Sequence, residues 1–134
     1  MQNSKSENVL IIKGELIDLN TYINAERANR YKGAAIKRLE TERVFWECKE
    51  QKIKPVGKKS LVIFEWYNKN SRKDFDNIEF AQKFIWDGLV MAKVLPEDNQ
   101  ENTPAMRLHI HEVDPENPRV EIHFPPEPLT AFTP

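Results

Sequence analysis

The residues best equipped for chemistry are the two aspartates of Asp74-Phe75-Asp76-Asn77, which follow Arg72-Lys73. In an extended stretch, side chains two apart point the same way, so both carboxylates share one side. Two anions held together repel unless a cation sits between them, and their coupling raises a proton affinity or captures a divalent ion. Hard oxygen donors of this kind suit Mg²⁺ or Mn²⁺. Lys83 lies seven residues beyond Asp76 and Asp87 eleven. On one continuous helix, at about 100° per residue, both fall within about 20° of Asp76. Glu97-Asp98 follows on a loop that can return to the same end of a sheet, so Asp74, Asp76, Asp87, Glu97 and Asp98 can surround one cavity, with Lys83 among them.

The same residues have an ordinary structural reading. Asp76 with Glu79 fits an N-cap and its capping-box acid, worth about 1 kcal/mol. Lys83 and Asp87 fit an i,i+4 ion pair worth a few tenths of that, and Glu97-Asp98 fits loop solvation.

The elements that must position these residues follow from periodicity. Val9 to Lys13 reads as a strand closed by Gly14. The proline-free stretch after Asn20 reads as two helical pieces interrupted at Gly33, the longer over about Ala34–Gln51, with Ile36, Leu39 and Trp46 as its apolar stripe. Ser60–Tyr67 is nearly all apolar and reads as a strand buried on both faces. A helix over about Asn77–Lys93 follows DFDN. Ala105–Val113 alternates Met106, Leu108 and Ile110 against Arg107, His109 and His111, and RVEIHF alternates Val120, Ile122 and Phe124 against Arg119, Glu121 and His123. Joined by DPENP, these two predict a C-terminal hairpin with one wet face. The expected architecture is α+β: a single domain over residues 9–124, a mixed sheet with helices packed on it, a flexible N-terminus at 1–8 and a Pro-rich tail at 125–134.

At 134 residues, with 40% hydrophobic and 31% charged, the chain suits one domain with a real core and excludes overall disorder. No apolar run approaches the ~20 residues of a membrane span, and the N-terminal stretch lacks a signal-peptide core, so we expect a cytoplasmic protein with no membrane partner. The single Cys48 can form neither an internal disulfide nor a thiolate metal cluster, which fits a reducing compartment. The net charge of −1 hides a division. Residues 1–73 carry 16 Lys/Arg against 9 Asp/Glu, and residues 74–134 carry 4 against 12. A basic surface for a polyanion beside an acidic metal cluster, or simple attraction within the fold, both account for it.

With Lys83 and Asp87-Gly88-Leu89 after DFDN, and Glu97-Asp98-Asn99 beyond, the chain resembles the RusA family of Holliday-junction resolvases, often carried by phages and prophages. Asn20-Thr21-Tyr22, Arg27 and Arg30-Tyr31 also resemble that family's amino-terminal segment. The resemblance covers residues 9–124 and is most specific over 72–98. It implies an α+β homodimer that cuts branched DNA with Mg²⁺ (or Mn²⁺ in its place), placing paired symmetric nicks across a four-way junction in recombination and repair inside a bacterial host cell. The family's essential acids carry over to Asp74, Asp76 and Asp98 and its essential lysine to Lys83, while Asp87 matches a further acidic position; the metal ligands implied are Asp74, Asp76, Asp87 and Asp98. Two departures stand out: the interval between DFDN and the lysine is about three residues longer than usual, and Glu97-Asp98 replaces a pair of aspartates.

For such a substrate, Arg27, Arg30, Lys32, Lys37, Arg38, Lys69, Arg72 and Lys73, with Lys58 and Lys59, are candidate contacts to backbone phosphates. Phe124, Leu129 and Phe132 are candidates for the dimer surface. Two readings compete with the nuclease: a non-catalytic DNA-binding accessory protein on the same fold, and a zinc-binding hairpin built from His109, His111 and His123. Strand alternation alone also accounts for all three histidines, and Cys48 reads as packing.

Overall fold

Alternation of apolar residues lays down four strands: β1 (Asn8–Lys13), β2 (Leu61–Asn68), β3 (Met106–Val113) and β4 (Arg119–Phe124). The computed structural model describes residues 8–57, 61–97 and 106–125. The expected flexible N-terminus (apart from Asn8) and the tail beyond Pro125 lie outside these, as do Lys58, Lys59, Asp98, Leu129 and Phe132. The strands form one mixed sheet in the order β1-β4-β2-β3. β4 runs antiparallel to β1 and β2, and β3 runs parallel to β2. Helices α1 (Leu19–Ala28), α2 (Arg30–Glu50), α3 (Phe75–Glu79) and α4 (Gln82–Met91) complete an α+β domain.

The core lies between one face of the sheet and the helices. Leu10 and Ile12, Phe64 and Trp66, and Val120 and Ile122 share that face by register and pack with Val44 and Cys48 of α2 and Phe84, Ile85 and Leu89 of α4. Helix α4 crosses α2 at Gly88, where a Cβ would stand 2.5 Å from the Cβ of Val44 and 2.9 Å from the carbonyl oxygen of Thr41, so only glycine permits the approach. No helix among the described residues is long and apolar enough to cross a membrane.

Several expectations are corrected. The C-terminal hairpin does not form, because β2 lies between β3 and β4. A parallel β2–β3 pair needs a crossover, which α3 and α4 supply. The chain then leaves β3 at the same end as β2, passes over it with Asp114 N–H donating to the Asn68 carbonyl at 2.7 Å, and returns as β4 on the far side. The facing of β3 is also reversed. Its register with β2 sets Arg107, His109 and His111 on the helix side beside Val62, Phe64 and Trp66, and leaves Leu108 and Ile110 exposed on the open face. β2 is therefore fully buried on one face only: Ile63, Glu65 and Tyr67 are half-buried on the other.

Among the helices, the break falls at Asn29 and not at Gly33. Asn29 adopts an extended conformation, and its side chain accepts from Tyr31 N–H to cap α2. Gly33 lies inside α2 against Glu26 of α1. The buried stripe of α2 is Gly33, Thr41, Val44 and Cys48, whereas Leu39 and Trp46 are exposed. Phe124 is buried in the core, which removes it from the dimer-surface candidates.

Candidate functional site

Five residues after β2 ends, the chain is pinned before it reaches DFDN. Lys73 Nζ lies 2.7 Å from Asp18 Oδ2, and Asp18 caps α1 by accepting from Thr21 N–H. Burial of Asp18 opposes its charge, but the hydrogen bonds from Lys73 and Thr21 outweigh it and hold the carboxyl below the usual carboxylate range. Three residues of the next segment are also tied down. The Phe75 ring stacks on His111 with centroids 3.8 Å apart and planes 4° apart. Glu79 Oε2 lies 2.6 Å from His111 Nε2, and Asn77 Oδ1 accepts from Asn20 N–H at 2.9 Å.

Asp74 and Asp76 are what this anchoring leaves outward. Both are exposed, and neither carboxylate has a hydrogen bond or ion pair among the described residues. They line one depression with Leu19, Asn20, Lys73 and Asn77. The capping-box reading fails here: Asp74, not Asp76, occupies the N-cap position of α3, its side chain makes no capping bond, and Glu79 is committed to His111. Two exposed oxygen donors with no protein partner fit a hard divalent cation.

Lys83 is placed elsewhere. The helix expected over 77–93 is broken at Phe80–Ala81, where Ala81 N–H donates to Ile78 and Phe84 N–H to Ala81 in i→i+3 steps. A tightened turn advances about 120° per residue and not about 100°, so the stripe from Asp76 does not continue across the joint. Lys83 lines a separate groove with Tyr22, Lys37, Phe80, Trp86 and Arg107. Its Nζ lies 3.8 Å from Asp87 Oδ1, an ordinary i,i+4 pair. Arg107, missed as a site residue because alternation set it on a wet face, lies with its guanidinium 3.6 Å above the Trp86 ring and donates to Gln82. Asp98 is outside the described residues.

Of the candidate phosphate contacts, Arg27, Arg30, Lys32, Lys37 and Arg38 are exposed on α1 and α2, and Lys69 and Arg72 are exposed between β2 and DFDN. Lys73 is engaged by Asp18 and Glu15, so its charge is largely spent within the fold.

The histidines divide between the faces. His109 accepts a hydrogen bond from Trp66 Nε1 at 3.0 Å and stacks on Phe64. Its burial, together with the charges of His111 and Arg107, lowers its proton affinity despite Glu79. His111 shares this face, whereas His123 lies on the other beside Glu65 and Glu121. The three therefore cannot share an ion. Burial pushes the Cys48 thiol up to about 11, which makes it an inert packing residue. No protein-family model matches the chain, and no curated protein matches it.

Proposed function

We propose that the protein is a metal-dependent endonuclease of RusA type, acting as a homodimer on branched DNA within the bacterial cytoplasm. One observation carries the reading: DFDN spends its phenylalanine and asparagine, with Glu79 beyond, on fixing the backbone and leaves both aspartates exposed and unpartnered. Neither carboxylate is consumed in a cap or an ion pair among the described residues. Asp74 and Asp76, joined by Asp98, would hold Mg²⁺ or Mn²⁺, which when bound supplies a Lewis acid and a more acidic water for phosphodiester hydrolysis.

The chain's own residues do the rest. His111 and Asn77 hold the aspartates' backbone, and Lys73 fixes its approach. Arg27, Arg30, Lys32, Lys37 and Arg38 offer phosphate contacts without reading sequence. Lys83, with Lys37 and Arg107 around the neighbouring groove, attracts the strand and neutralises phosphate charge close to the cut. A C2 dimer matches the two equivalent scissile positions of a junction. The accessory-protein reading draws support from one feature, the separation of Lys83 from the two aspartates into its own groove. Cleavage of a synthetic four-way junction with Mg²⁺, wild type against Asp76→Asn, distinguishes the two: paired nicks that vanish in the variant support the nuclease, and salt-sensitive binding without cleavage supports the accessory protein.

A further inference from the structure

The open face of the sheet carries a second set of metal-ligand side chains that this function does not use. Glu65 of β2 and Glu121 of β4 are directly opposite one another, an arrangement in which like charges destabilise a sheet unless a cation intervenes. His123, two residues beyond Glu121 and on the same face, brings its Nε2 to 3.4 Å from Glu65 Oε1 and 3.2 Å from Glu121 Oε1. One donor atom from each of the three lies within 4.8 Å of the others, and all three side chains are half-buried.

We propose that Glu65, Glu121 and His123 form a binding site for a borderline divalent cation of the Zn²⁺ or Co²⁺ class. The spacing supports this quantitatively. Ligands about 2.0–2.1 Å from a tetrahedral ion stand roughly 3.3–3.4 Å from one another. The two edges to His123, 3.4 and 3.2 Å, are close to that length, and the third is no longer than 4.8 Å. The donor set decides the class of ion: an imidazole nitrogen with two carboxylates suits zinc-like ions, whereas Mg²⁺ and Ca²⁺ prefer oxygen alone.

The outer contacts are those of a supported site. Tyr67 O–H donates to Glu65 Oε1 at 2.9 Å. Arg119 Nε donates to Glu121 Oε2 at 2.7 Å, turning Oε1 toward His123. The guanidinium is itself fixed by Asp114 and lies 3.8 Å above the Tyr67 ring. Arg119 pairs with Glu121 and Asp114, so that with Glu65 the group carries three carboxylates against one arginine, a charge of −2 for the ion to neutralise when His123 is neutral. Among the described residues three protein ligands are present, which leaves a fourth position for water or another molecule.

The test is calorimetric titration of the full, tag-free chain with Zn²⁺, with Co²⁺ visible absorption as a second readout. The wild type should take up at least one equivalent, and the Asp74→Asn/Asp76→Asn double variant should retain one, which separates this site from the nuclease reading. His123→Ala should weaken binding at least about tenfold. Glu121→Gln, which preserves shape, should do the same while the circular dichroism spectrum stays unchanged. Unaltered binding in both single variants, loss of zinc in the Asp74/Asp76 double variant, or no uptake by the wild type overturns the proposal.

Discussion

Two pairs of carboxylates among the described residues, Glu65/Glu121 and Asp74/Asp76, are treated in opposite ways. Glu65 and Glu121 face each other on the open side of the sheet, and each is engaged by a neutral or cationic neighbour: Tyr67 and His123 for one, Arg119 and His123 for the other. Asp74 and Asp76 have no such neighbour among the described residues, although Lys73 is adjacent in sequence to Asp74. Lys73 turns away to Asp18. The sheet pair is thus partly compensated by neighbouring side chains, whereas the DFDN pair has no hydrogen bond or ion pair among the described residues.

The largest expected effect breaks the exposed pair. Asp76→Asn should lower junction cleavage at least a hundredfold while stability stays within about ±0.5 kcal/mol, because the side chain supports nothing in the fold; single-turnover cleavage and a thermal melt measure both. Next is the support beneath that pair. Lys73→Met strands the buried Asp18 carboxylate and should cost about 1–2 kcal/mol in urea denaturation at pH 7, the lower range because solvent reaches the lysine. The sign follows from the depressed Asp18 carboxyl: its contribution is present above the ordinary carboxylate value near 3.8 and is lost as pH falls through the folded value. The melting temperature of the wild type should therefore drop more steeply below about pH 4 than that of the variant.

A smaller effect belongs to the helix side of the sheet. The lowered proton affinity of His109 means the unfolded chain binds the extra proton first, so stability should decline as pH falls below about 6.5. His109→Phe keeps the ring stack and should flatten that decline in melts between pH 7.5 and 5.5. The smallest effect is expected on the compensated pair. Glu65→Gln removes one of two opposed charges and should shift stability by no more than about 0.5 kcal/mol, in either direction, in the same assay.

Much of the positioning frame was legible in the sequence. The strand ending before Arg72-Lys73-DFDN and the helical segment after it follow from local pattern, and the α+β class follows from their order. The strand pairing did not, because it is non-local. A five-residue turn between two alternating strands reads as a hairpin, and nothing in Asp114–Pro118 reveals that β2 is inserted between them. The facing of β3 was misread for a related reason. His109 and His111 look like surface residues until Trp66, Phe75 and Glu79, distant in sequence, give them partners. The α2 stripe escaped notice because it is made of Gly33, Thr41, Val44 and Cys48, while the conspicuous Trp46 faces water. In the site itself, the acidic segment between strand and helix was legible, although it is not extended: Asp74 is at the N-cap of α3 and Asp76 lies inside that helix. The displacement of Lys83 was not, since it depends on a turn tightened at Phe80–Ala81.

The most direct test of the central claim is cleavage of a four-way DNA junction by the purified chain with Mg²⁺, with and without the Asp76→Asn substitution. Paired, ligatable nicks are expected from the wild type and none from the variant, which still binds the junction. Binding by both proteins with cleavage by neither, in Mg²⁺ and in Mn²⁺ across several junction sequences, would contradict that claim.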